Sequence, residues 1–166
     1  GWKRRGLPQG RADRSLYCGE RSRKLKHTCM GSNERDIGVA KLKKTADHLV
    51  EVHYAEGCVL NNRMLAKVRA ARRELMGDAP YVLLSFLPED SGFEMSAMKE
   101  DHLVGDRREG NLKAIAVVAS ESMIGAMLKL YFAYFPHMDR IHVTENERGA
   151  RSWIKEELVR LRLTGN

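Results

Sequence analysis

Six histidines, three cysteines and a scatter of serines are the residues of this 166-residue chain that could attack, relay a proton or hold a metal. Their spacing supports none of these. His48 and His53 lie five apart in the alternating stretch His48-Leu-Val-Glu-Val-His-Tyr54, and positions five apart on a strand face opposite ways, so the pair cannot share an ion. His142 sits between Ile141 and Val143, which suit a core better; all three histidines are expected at the surface or rim, without the orienting partner that a catalytic imidazole needs. Cys18, His27 and Cys29 cluster far from Cys58 and lack the paired ligand spacings of zinc sites. No metal is expected, and three unframed cysteines read as free thiols of a reducing compartment. Gly-x-Ser-x-Gly, Gly-x-Gly-x-x-Gly and Gly-x-x-x-x-Gly-Lys-Ser/Thr are all missing, which removes the common hydrolase elbow and the phosphate cradles. The step Ser120-Glu121-Ser122 could hold an anion at a helix start, but Glu121 opposes it and a simple N-cap is the better reading. Neither an enzyme nor a cofactor is expected.

The elements that must position any site follow from periodicity. His48 to Tyr54 alternates as a half-buried strand, with Val50, Val52 and Tyr54 on one face and Leu49, Glu51 and His53 on the other. Ala55-Glu-Gly57 turns the chain and Cys58-Val-Leu60 is expected to return as the second strand of a hairpin. Asn61 or Asn62 caps a helix to Met76 with Leu65, Val68, Ala71 and Leu75 inward, ended by Gly77 and Pro80. Tyr81 to Phe86 is an unbroken apolar run, the mark of a strand covered on both faces. A helix is expected from about Phe93 to Leu103 and a polar surface loop from Val104 to Asn111. Ala114 to Ala119 is a second central strand. A very apolar helix follows to Phe135, stopped by Pro136; Arg140 to Thr144 is an edge strand, and Glu145 to Leu161 an amphipathic helix with Ala150, Trp153, Ile154, Leu158 and Leu161 inward. The order β-β-α-β-α-β-α-β-α predicts an α/β domain: four to five strands in a mostly parallel mixed sheet, flanked by about four helices.

Charge divides the chain differently. The formal net charge is +7, and residues 1–29 hold nine Lys or Arg against two Asp or Glu, so the whole excess lies there and the remainder is formally neutral. Residues 1–29 lack apolar periodicity and read as a disordered basic extension, residues 30–46 as a linker, and residues 47–164 as the folded domain. The first methionine is Met30, so the extension is either a nucleic-acid-binding arm or sequence upstream of the natural start; nucleic acid is a partner only if the extension is native. No stretch approaches the roughly 18 apolar residues of a membrane span, and a cytoplasmic protein is expected.

Two helices carry surplus character. The helix from Asn62 bears Arg63, Lys67, Arg69, Arg72 and Arg73 against Glu74 alone, read as a solvated face neutralised by acids elsewhere. Met123 to Phe135 has Lys129 as its only charge, more apolar surface than one side of a sheet needs. Met127, Tyr131, Tyr134 and Phe135 are accordingly the candidate surface for a homodimer or an apolar ligand.

Four segments carry a family resemblance: EVHYAEG, APYVLLSF, KAIAVVASESMIGAMLKLYFAYFP and RIHVTENERGARSWI. Over about residues 47 to 162 the chain resembles the STAS family, best known for bacterial anti-sigma-factor antagonists, and looks closest to a small bacterial STAS-like branch. The resemblance implies a STAS-like sandwich and a regulatory, protein-binding role without catalysis. In antagonist members a serine between a strand and the next helix is phosphorylated; here that implies Ser91, in Glu89-Asp90-Ser91-Gly92, as a regulatory phosphosite. The loop departs from the family pattern in Pro88 and in Gly92-Phe93-Glu94, and a plain N-cap is the better reading of Ser91. The kinship in fold between STAS and CRAL-TRIO-like lipid-binding domains adds a second expectation, a carrier of a small apolar or lipid-like ligand.

Overall fold

The computed structural model describes residues 33–120, 123–135 and 140–163. The basic extension 1–29 lies outside them. Just after it the structure departs from the expected linker: β1 (Glu34–Asp36) and β2 (Ala40–Ala46) pair antiparallel, and β2 pairs antiparallel with β3 (Leu49–Tyr54). The domain therefore begins before residue 47. Only Ala40 and Leu42 of β2 are buried while Lys41 and Lys43 face out, so alternate positions suffice to hold a strand that three lysines disguise in the sequence. Gly38, at a φ of 82°, makes the β1–β2 turn, and Asp36 Oδ1 accepts its N–H at 2.9 Å.

After β3 the chain does not return as a hairpin. β4 (Val59–Leu60) pairs in parallel with β6 (Gly92–Phe93) as a separate two-stranded sheet. Between them run α1 (Asn62–Met76) and β5 (Tyr81–Phe86). Asn61 caps α1, its Oδ1 accepting the Met64 N–H at 2.8 Å, and Gly77, at a φ of 56°, closes it. The single helix expected from Phe93 to Leu103 is instead α2 (Met95–Met98), and the expected loop from Val104 holds α3 (Val104–Glu109). β7 (Leu112–Val118), α4 (Met123–Tyr134), β8 (Ile141–Thr144) and α5 (Glu147–Arg160) complete the order.

The main sheet has six strands in the order β1-β2-β3-β5-β7-β8, with β3, β5, β7 and β8 mutually parallel. It is a mixed α/β sheet, one strand wider than expected, with five helices among the described residues. Each parallel crossover steps to the next strand in the same direction. Connections of one hand then place every crossover on one face. That face carries the larger core, where Val52, Leu83 and Ile115 of the sheet meet Val68 and Leu75 of α1 and Ile124 and Leu128 of α4. α5 follows the last strand and covers the other face, packing Ala150 and Ile154 on Val82, Leu84, Ala114 and Ala116, with Trp153, Leu158 and Leu161 around them. Both faces of β5 and β7 are covered, which is why those two strands are apolar but for Ser85 and, near the start of β7, the exposed Lys113.

Candidate functional site

A cavity of about 100 Å³ lies inside the larger core. Its floor is the crossover face of the parallel strands, with Tyr54 on β3, Leu83 and Ser85 on β5, and Ile115 and Val117 on β7. α1 contributes Leu65, Val68 and Arg72; α4 contributes Leu128, Tyr131 and Phe132; Phe93 and His102 come from the stretch between β5 and α3. Ser85 faces the cavity because it shares the phase of Tyr81 and Leu83 on a strand of period two. Its pairing with Val52 and Val117 sets it at the centre of the floor.

The polar groups of this wall are few and unusual. Arg72 is 4% exposed, and its two terminal nitrogens donate to the Asp106 carboxylate at 3.0 and 3.2 Å, one of them also to the Tyr81 hydroxyl at 2.7 Å. Asp106 on α3 is itself buried, and Arg69 approaches it from α1 at 3.7 Å. Burial works against the Arg72 charge, but Tyr81 and Asp106 outweigh it and hold the guanidinium more firmly protonated than usual. The remaining donor, Arg72 Nε, is buried without a hydrogen-bond partner. A buried guanidinium N–H left unmatched is costly, and native structures rarely tolerate it. Tyr54 and Ser85 add hydroxyl-bearing side chains to the lining. Burial pushes the Tyr54 phenol up to about 12, with Arg72 partly opposing, so it stays a neutral donor across the physiological range.

Tyr131 fixes the opposite wall. Its hydroxyl donates to the Glu100 carbonyl at 2.7 Å and accepts the His102 backbone N–H at 2.9 Å. The His102 ring stacks on Tyr131 at 5.9 Å and places Nε2 2.8 Å from the Ala97 carbonyl, which requires a proton on that nitrogen. Half-buried Tyr54, Leu65, Phe93, His102 and Phe132 lie where the cavity meets the surface. A larger crevice of about 440 Å³ opens beyond the C-terminal ends of β7 and β8, with Lys129 and Glu145 in its wall, but it is polar and carries no orphaned buried group.

The residues singled out in the sequence separate. Tyr131 is 4% exposed and belongs to the cavity, whereas Tyr134 is 75% exposed, Met127 and Phe135 are half-buried, and Leu130 joins Tyr134 outside at 64%. Ser91 precedes β6 rather than a helix, and the α2 N-cap is Glu94, so Ser91 is no cap. Its hydroxyl accepts a hydrogen bond from the buried Cys58 thiol at 3.5 Å. His48 sets Nδ1 2.7 Å from the Pro80 carbonyl, His53 stacks on Phe86 at 4.3 Å, and His142 on Trp153 at 5.3 Å. Arg69 and Arg73 of the basic helix pair with Glu109 of α3. Arg72 is a correction to the solvated-face reading, because its side chain is inside. Its signal was present in the spacing: Arg72 stands four residues after Val68 and four before Met76, on the inward stripe.

No protein-family model matches this chain, and no curated protein matches it.

Proposed function

We propose that this chain is a non-enzymatic binding domain that holds a small, largely apolar molecule between the sheet and α1 and α4. One observation carries the reading: a cavity of about 100 Å³, lined chiefly by apolar side chains with Tyr54, Arg72, Ser85, His102 and Tyr131 among them, lies inside the larger core. An apolar occupant gains packing contacts with these walls. Apolar walls with a few convergent polar groups are the usual make-up of a small-molecule site. Methyl NMR under xenon pressure tests it, since xenon enters apolar cavities without needing a polar partner. Shifts confined to Leu83, Ile115 and Leu128, with Leu84 and Ile154 on the other face still, are expected. Unmoved methyls on the α1 and α4 side remove the proposal.

The second reading is the STAS-like regulatory domain, working through a partner protein or a second copy. Leu130 and Tyr134, both exposed on α4, favour it, because isolated apolar residues are ordinary but an exposed pair four apart on one helix makes a contact stripe. Phosphate on Ser91 would then add a charge of about −2 beside Glu89 and Asp90 and displace the Cys58 thiol contact, a local change suited to a switch. Light scattering decides the self-association: a dimer that Leu130→Asp with Tyr134→Asp converts to monomer supports it, and a wild-type monomer at high micromolar concentration ends it.

A further inference from the structure

We infer that residues 94–102 form an entry strap for the cavity, and that the Tyr131 hydroxyl is the latch that holds it shut. This deepens the reading above and rests on it, since a strap matters only where the cavity takes an occupant.

The stretch lies at the mouth. Of the half-buried residues where the cavity meets the surface, Phe93 immediately precedes it and His102 ends it. Both flanks are anchored. On one side β6 pairs with β4, and the Glu94 N–H donates to the Leu60 carbonyl at 2.9 Å. On the other, α3 is fastened to α1 by the buried Arg72–Asp106 pair and by the contacts of Arg69 and Arg73 with Glu109. The chain between these anchors is thinly packed: of residues 94–100 only Ala97 is buried, and α2 is a single turn of four residues. Its backbone bonds run within it, from the Ala97 and Met98 N–H groups to the Glu94 carbonyl at 3.0 and 3.3 Å and from the Lys99 N–H to the Ser96 carbonyl at 3.3 Å. The His102 ring turns back on the Ala97 carbonyl, and Asp101 binds Arg107 of α3 at 3.0 Å, a tie along the chain. A segment bonded in this way leaves few partners behind when it lifts, and such segments open well below the free energy of global unfolding.

Tyr131 reaches across from α4. Its one oxygen donates to the Glu100 carbonyl and accepts the His102 N–H, so it grips the strap at two points. The Asn62–Glu100 contact at 2.8 Å joins exposed side chains, where water competes for both groups, and it holds less. Lifting the strap carries His102 away from the mouth and admits the occupant.

Tyr131→Phe removes the latch and keeps the ring that lines the cavity. The full chain and this variant are compared by amide hydrogen exchange and by xenon saturation transfer, which reads how fast bound xenon leaves. A detached single turn does not persist in water, so the amides of Ala97 and Met98, which do not bond to Tyr131, report the opening. They should exchange roughly five- to thirtyfold faster in the variant, as the loss of one to two hydrogen bonds requires. Gly110 of α3 and Ile115 of β7 should keep their protection. Bound xenon should leave faster by a similar factor at unchanged occupancy. An unaltered xenon exit rate, or unaltered Ala97 and Met98 amides, would overturn the strap and leave the cavity reading in place. Lost protection at Ile115 as well would make Tyr131 a prop of the whole fold and overturn the inference too. No bound xenon in the unsubstituted chain overturns it by removing the cavity reading beneath it.

Discussion

Arg72 and Asp106 form a buried pair joined by two hydrogen bonds. Removing one partner leaves a buried charge, so Arg72→Met alone and Asp106→Ala alone should each lose about 3–5 kcal/mol in urea unfolding. Replacing both by apolar residues, as in Arg72→Met with Asp106→Leu, should restore much of that loss, since the desolvation cost of two charges disappears together. A double variant as unstable as the sum of the singles would show that the pair does not act as a unit. Burial also raises the phenols: Tyr54 to about 12, and Tyr81 and Tyr131 in the same direction. A group whose folded value exceeds its unfolded value near 10 binds its proton more tightly when folded. Stability from these three is therefore complete below about pH 10 and is lost as pH rises above it, for Tyr54 through about 12. Phenolate absorbance should lag behind that of free tyrosine until the chain unfolds, and a normal titration of all the tyrosines would contradict their burial. Tyr54 and Arg72 were half legible in the sequence. Tyr54 stands in phase with Val50 and Val52, and Arg72 in phase with Val68, but a cation in an amphipathic helix gives no sign of its partner when that partner, Asp106, sits in a stretch with no period.

Elements were legible where they are long. α1 and α5 repeat apolar residues over three or more turns, and β5 and β7 are apolar runs covered on both sides, so length and period agree. The short elements were not. β4 and β6 have two residues each and α2 has four, too few for any period to be seen; their form comes from contacts made after the chain has folded, such as Gly92 N–H to the Cys58 carbonyl at 2.8 Å. β2 is the instructive case, because Lys41, Lys43 and Lys44 hide a strand whose inward side is carried by Ala40 and Leu42. Leu42 is 1% exposed, and Leu42→Ala should cost about 2–5 kcal/mol. An unchanged urea midpoint would return residues 34–46 to the status of a linker.

At the scale of the molecule, charge and shape belong to different parts of the chain. The excess of +7 resides in residues 1–29, so any nucleic-acid affinity should fall steeply with salt and vanish on their removal; equal affinity without them would place the basic surface on the domain. The domain itself is a mixed sheet with crossovers on one side and α5 on the other, and the cavity exists because α1, α4 and the stretch before α3 close over the parallel strands without filling the space above Ser85. The parallel strands and the α1, α4 and α5 helices that cover them follow from patterning, but a void follows from side-chain volumes in three dimensions, which no linear pattern records. A crystal of the full chain held under xenon pressure tests that void most directly. A xenon atom should appear among Leu83, Ile115 and Leu128 on the Arg72 side of the sheet; an unoccupied core there, with xenon bound elsewhere or nowhere, would contradict the cavity and the binding function built on it.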